Sequence, residues 1–294
     1  MRTRVVAPLR LLKVGLVLAA GSCTGIDVLP VDLGPEDRNP SWSPDGQWIA
    51  FEHSDSSEAA AVYVVGIDGT GRRRVLAGAM DPDWSPDGSA LVVNLGGPTI
   101  ARVSLGSGNV TVLTELQGYT PAWSPDGETI AFSSNGGDNA NPPDLWTVPA
   151  SGGTASRVPL HGPPRTQLSQ VDWSPTSARL VAAEHATRHR LFIASRDGTD
   201  TSRIAVPGLD LDQPAWSPGG DRIAYVRSSV GEVGDIWLVG PDGSGHRALV
   251  AGASSPCWSP DGAHVAFARR QGSTLSIWVV DTLGQSIRAI TPSN

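Results

Sequence analysis

Short runs of alternating apolar and polar residues fill this chain, and the alternation restarts at a recurring phrase. Trp-Ser-Pro occurs at Trp42, Trp84, Trp123, Trp173, Trp216 and Trp258, at spacings of 42, 39, 50, 43 and 42 residues. Seven residues after each Trp stands an aliphatic: Ile49, Leu91, Ile130, Leu180, Ile223 and Val265. Two residues later, on the same side of the chain, come Phe51, Val93, Phe132, Ala182, Tyr225 and Phe267. An apolar spacing of two marks β-strands and excludes helical solenoids of similar repeat length.

Each repeat reads as four strands. The first ends at the Trp; Ser-Pro-Asp-Gly then reverses the chain, because Pro fixes φ and Asp-Gly supplies a tight turn. Repeats four and five depart from that phrase, with Ser174-Pro175-Thr176-Ser177 and Ser217-Pro218-Gly219-Gly220. The Ile-Ala-Phe type of strand is second. A third follows at Val62–Val64, Ile100–Val103, Leu145–Trp146, Leu191–Phe192, Ile236–Trp237 and Ile277–Trp278, and turns such as Asp68-Gly69 lead to a fourth. Four-stranded antiparallel units repeated six times predict an all-β fold, a six-bladed β-propeller over residues 39–294. Nine of the ten Trp fall at two repeat positions and only Trp48 does not, so the repeat Trp residues are expected to wedge between blades. Ring closure has two solutions in sequence: an outer strand for the last blade at Ser286–Ile290, or a competing strand at Val28–Leu33.

Composition adds boundaries. Gly 34 and Pro 24 fit a turn-rich fold, and 39% hydrophobic residues suffice for a core. A net charge of −7 argues against a nucleic-acid partner. The only lysine is Lys13, so a chain without its N-terminus has no lysine for Schiff-base or base chemistry.

That N-terminus reads as an export signal over residues 1–22. Arg2, Arg4, Arg10 and Lys13 precede the short apolar stretch Val14–Ala20, too short to span a bilayer. Ala20-Gly-Ser-Cys23 resembles the bacterial lipobox, with Ala20 where that motif prefers Leu, so lipidation is expected at Cys23. Removing residues 1–22 takes away four positive charges and no negative ones, leaving −11. Residues 23–38 are then a lipid-anchored linker, and the chain is expected on the periplasmic or extracytoplasmic face of the envelope. Cys257, preceding Trp258, reads as a small buried thiol, with no disulfide to Cys23.

The repeat Pro121 to Phe132, Pro-Ala-Trp-Ser-Pro-Asp-Gly-Glu-Thr-Ile-Ala-Phe, is similar to that of the TolB-type WD-like propeller family. The likeness covers residues 39–294. It implies a six-bladed propeller in the cell envelope; TolB itself binds the peptidoglycan-associated lipoprotein and TolA. TolB carries an α/β domain before its propeller, whereas residues 24–38 alone separate the lipobox from the first blade here, so the resemblance implies a stand-alone propeller lipoprotein.

Catalytic motifs are sparse. No Gly-x-Ser-x-Gly elbow occurs; Gly252-Ala-Ser254-Ser-Pro256 lacks the second Gly. His185 and His189, beside Glu184, have a spacing that aligns metal ligands on a helix; they fall in a strand hairpin, so they read as a solvated loop. His53 and His161 stand alone in loops. Asp138, Asn139, Asn141 and Asp144 are oxygen-rich without the EF-hand pattern. Neither a cofactor nor a metal is expected.

One constellation stands out. Three residues before each Trp, where the innermost strand is expected to begin, stand Asn39, Asp81, Thr120, Gln170, Gln213 and Ser255, all polar. They should form a channel rim, with Asp83, Asp172, Asp210 and Asp212 on the same side and the loops Ser133–Asp144 and Pro159–Gln170 above it. The expected function is an envelope scaffold that binds another protein or peptide at this rim, as a monomer held to the membrane through Cys23 only. Two alternatives are a metal-dependent propeller enzyme of lactonase or lyase type, and polysaccharide binding, for which Tyr119 is the one aromatic in the rim loops.

Overall fold

In the computed structural model, residues 34–56, 59–96, 99–137, 144–160, 167–207, 209–229 and 234–291 are described. The export signal, Cys23, Val28–Leu33, His161, Asp138, Asn139 and Asn141 lie outside them. The fold is an all-β propeller of four-stranded antiparallel blades. Repeats two to five each form a separate four-stranded sheet, and repeats one and six merge into one eight-stranded sheet. That merger rests on a parallel pair, Glu36 with Leu275, reinforced by Leu275 N–H donating to Pro35 O at 3.0 Å. The last repeat has its own outer strand, Ile287–Ala289, paired with Thr274–Asp281, which fits the first of the two closure solutions. Each innermost strand packs against the innermost strands on both sides, and the circuit closes between Ala253–Trp258 and Glu36–Trp42.

The core is divided among the blade interfaces. Six apolar clusters form, each drawn from two adjacent repeats and each holding one Trp of the Trp-Ser-Pro phrase. Trp84, Trp123, Trp173 and Trp216 are buried, while Trp42 and Trp258 are half-buried. Phe51, Phe132, Tyr225 and Phe267 on the second strands are fully buried, and so are the preceding Ala50, Ala131, Ala224 and Ala266, as expected of strands covered on both faces.

The Ser-Pro-Asp-Gly turn is a small hydrogen-bonded device. In the first repeat Ser43 Oγ donates to Asp45 Oδ1 at 2.6 Å and accepts from Trp48 N–H at 2.9 Å, while Gln47 N–H donates to Asp45 at 3.0 Å. Gly46 takes φ +72°, where a Cβ would be strained. Repeat four keeps the left-handed turn without glycine: Ser177 sits at φ +56°, and its Oγ accepts Asp126 N–H at 3.0 Å. In repeat five Asp221 takes the capping role two residues later, accepting from Ser217 Oγ at 3.2 Å.

Candidate functional site

The six polar residues of the expected rim share a backbone feature that their side chains do not announce. Asn39, Asp81, Thr120, Gln170, Gln213 and Ser255 all have positive φ, between +48° and +54°. Each sits inside its strand at a register shift, not at the strand's start. A β-bulge of this kind bends the strand and re-aims a side chain. Left-handed backbone costs a non-glycine residue roughly 1–2 kcal/mol, most for a β-branched one such as Thr120. Strain repeated at every blade is held in place by what the bulges bond to.

Those bonds run around the channel. Asn39 Nδ2 donates to Asp81 Oδ1 at 2.7 Å, and Ser255 Oγ donates to Asn39 Oδ1 at 2.9 Å. The bulged backbone N–H groups of Gln170, Gln213 and Ser255 donate to the side-chain oxygens of Thr120, Gln170 and Gln213, at 3.1, 3.0 and 2.7 Å. Five of the six junctions between successive repeats around the ring are laced in this way, and among the described residues none of these bonds links Asp81 to Thr120. The polar ring is therefore first a set of inter-blade ties. What it still offers the channel is the amide NH2 of Gln170 and of Gln213, whose oxygens alone are engaged among the described residues.

Asp81 is the charged member. Its carboxylate accepts from Asn39 and, at 2.8 Å, from Asn94. Burial, and then the negative charge of Glu52, push its pKa up to about 6. Glu52 is itself buried and paired with Arg38 at 2.9 Å.

The channel has two chambers. The rim residues line a cavity of about 190 Å³. A larger one of about 400 Å³ opens on the face carrying the Ser-Pro turns. Both touch Pro40, Pro82, Pro121, Val171, Pro214 and Pro256, which form the waist between them. Asp83 and Asp172, expected on the rim side, lie beyond this waist in the larger chamber. They stand two residues after the bulge, so the bend that turns the polar ring toward the rim leaves them on the other side of the prolines.

These two acids belong to an alternation that sequence reading missed. Trp123 N–H donates to Asp83 at 2.7 Å and Trp216 N–H to Asp172 at 2.6 Å. Cys257 occupies the same position in repeat six and accepts a hydrogen bond from Trp42 N–H. In the intervening repeats, Ser41, Ala122 and Ala215 accept through their backbone carbonyls from the indoles of Trp84, Trp173 and Trp258, at 3.1, 3.2 and 3.1 Å. Blade contacts thus come in two kinds that alternate around the ring. The signal was present before each Trp as Ser, Asp, Ala, Asp, Ala, Cys. Burial and the facing charge of Asp83 push Asp172 up to about 7, and burial likewise raises Asp83. Burial pushes the Cys257 thiol up to about 12, so it is no nucleophile at neutral pH.

Other expected features are placed as follows. His185 and His189, read as a solvated loop, are half-buried and touch each other, because the hairpin closes tightly; Glu184 beside them is held by Arg190 and Arg203. His53 is bonded to Asp37 at 2.6 Å. Asp144 is bound by Arg157 at 2.5 Å. Tyr119 is exposed beside the rim.

Solved structures share this architecture. The putative TolB of Agrobacterium tumefaciens superposes with a TM-score of 0.69 at 22% identity, over 80% of this chain and 89% of that one. An oligogalacturonate lyase in complex with manganese gives a TM-score of 0.61 at 16% identity, over 87% and 77%. At such identities the likeness is one of fold alone. Among sequence relatives, the protein Atu1656 of Agrobacterium fabrum is 26% identical over 63% of this chain and 68% of its own length. The peptidase YuxL of Bacillus subtilis is also 26% identical, but this chain spans only 24% of its length. The model of the TolB beta propeller domain matches residues 38–254, and the chain belongs to that family.

Proposed function

We propose that this protein is an exported, lipid-anchored, six-bladed propeller that binds a segment of another envelope protein or a peptide at the channel rim. The blade count takes the eight-stranded sheet as two four-stranded blades meeting at one parallel pair. Membership of the TolB beta propeller domain family supports an envelope location, and Cys23 is the proposed anchor. The observation that carries the binding role is the strained ring itself: six bulges hold Asp81 and two glutamine amide NH2 groups, unengaged among the described residues, around an open chamber. Amide donors beside a carboxylate suit an extended peptide with a basic or amide side chain, and the net negative charge steers such a segment inward.

The test pairs two double variants. Asp81→Arg with Gln213→Arg alters the rim; Glu128→Arg with Ser151→Arg alters exposed positions on the face of the Ser-Pro turns. Asp126 is unsuitable as a control because it pairs with Arg196 at 2.8 Å. Capture of partners from envelope extract should be lost with the rim variant and kept with the other. The reverse result would assign binding to the opposite face.

A further inference from the structure

A second cluster lies outside the channel, where the hairpin of repeat four meets the innermost strand of repeat five. The strands Arg179–Glu184 and Arg190–Ser195 pair up to Glu184 opposite Arg190, so His185 and His189 leave them side by side. His185 Nδ1 lies 3.3 Å from His189 Nε2. Asp212, on Asp210–Trp216, brings Oδ2 to 2.7 Å from His189 Nδ1 and Oδ1 to 3.9 Å from His185 Nε2. Each of the three residues offers one donor atom, and the three atoms lie within 4.8 Å of one another.

The positions are set by main chain. His189 N–H donates to Asp210 Oδ1 at 2.8 Å, and Leu211 N–H donates to His189 O at 3.1 Å. These bonds fasten the hairpin tip to the next blade's strand next to Asp212. Ser169 Oγ lies 2.6 Å from His185 Nε2 and orients that ring from a third strand.

Two features point to a missing ligand. Asp212 Oδ1 is shielded from solvent and has no hydrogen-bond partner among the described residues. A carboxylate oxygen withdrawn from water without a partner is costly, and a cation relieves that cost. One donor atom from each of the three side chains also lies within 4.8 Å of the others, a span that small side-chain rotations close to the roughly 3.3 Å that ligands keep on a tetrahedral ion with bonds of ~2.0–2.1 Å.

We propose that His185, His189 and Asp212 form a site for one late first-row divalent ion of the zinc class, bridging the fourth and fifth repeats beside the rim. Two imidazoles with one carboxylate suit zinc, cobalt or nickel; calcium and magnesium prefer oxygen ligands throughout. Three protein ligands leave a coordination position for water or for a donor brought by a partner.

The test uses the whole mature chain, stripped of metal with a chelator. Cobalt(II) titration should give visible ligand-field bands that saturate at one ion per chain and vanish when zinc displaces the cobalt. His189→Gln and Asp212→Asn should each weaken zinc binding at least about tenfold, the scale of losing a ligand or its carboxylate support. His246→Gln, remote in sequence and bonded to Tyr225, should leave binding unchanged. On the wild-type protein, zinc should shift the ring nitrogen resonances of His185 and His189 and not those of the other histidines, a readout that does not depend on any variant folding. No stoichiometric binding, equal affinity in His189→Gln, or shifts confined to other histidines would overturn the site and leave a hydrogen-bonded chain from Ser169 to Asp212.

Discussion

Truncating Trp173 separates a wedge from a ligand platform. The side chain is 3% exposed and packs between Ala122, Ala131 and Leu145 of one blade and Val171, Leu180 and Phe192 of its own. Its indole donates to Ala122 O at 3.2 Å, and the guanidinium of Arg196 lies 5.3 Å above the ring while holding Asp126 and Thr129 of the neighbouring blade. A buried Trp removes about 200 Å² from water, worth roughly 5 kcal/mol at 25 cal/mol per Å² as an upper bound. Trp→Ala substitutions in cores cost about 3–5 kcal/mol, so about 4 is expected for Trp173→Ala. With a urea slope near ~3 kcal/mol per M, the midpoint should fall by about 1.3 M. Trp173→Phe refines the argument. It removes a buried hydrogen bond to Ala122 O, whose residue pairs with Ala131 in the strand ladder, whereas Trp216→Phe removes one to Gly220 O in a partly exposed turn where water can replace it. The first should cost about 1 kcal/mol more than the second. Urea melts followed by circular dichroism and tryptophan fluorescence measure both, and a loss below about 1 kcal/mol for Trp173→Ala would refute the wedge.

Thr120→Asn should raise the melting temperature by about 2–4 °C, because Asn tolerates φ near +48° and keeps an oxygen for Gln170 N–H; a lower melting temperature would mean that the ring needs the threonine. Asp172, raised to about 7 from an unfolded value near 4, keeps a proton in the folded state that the unfolded chain gives up, so it lowers stability as pH rises from about 4 to 7. Urea midpoints at pH 5 and pH 8 should differ less for Asp172→Asn than for the wild type, and an unchanged difference would show that the group does not titrate there. The turn carboxylates act in the opposite window: Ser124 and neighbouring N–H groups, with Arg196, offset burial and hold Asp126 down to about 2, so its stabilisation is lost below pH 4, and Asp126→Ala should flatten the acid limb of a pH melt. Cys23→Ala should move the protein from the membrane pellet to the soluble envelope fraction; a variant still in the pellet would refute lipid anchoring there.

Repeats are legible in sequence because each one solves the same local problem. The spacing of Trp, Pro, Asp-Gly and alternating aliphatics names a strand, a turn and a strand without reference to the rest of the chain, and the propeller follows from stacking such units. The wedge positions were legible for the same reason, and so were the six polar residues at one strand position. Their backbone was not: nothing in Asn, Asp, Thr, Gln, Gln, Ser specifies φ near +50°, since that conformation is imposed by the bulge and paid back by bonds from the next blade. The proline waist, which separates Asp81 from Asp83 by two residues of chain yet places them in different chambers, is likewise a property of the closed ring. His185, His189 and Asp212 show the limit most plainly. A spacing rule written for helices dismissed the two histidines, and Asp212 is 23 residues beyond the second; only the pairing of one blade's hairpin with the next blade's inner strand brings the three together.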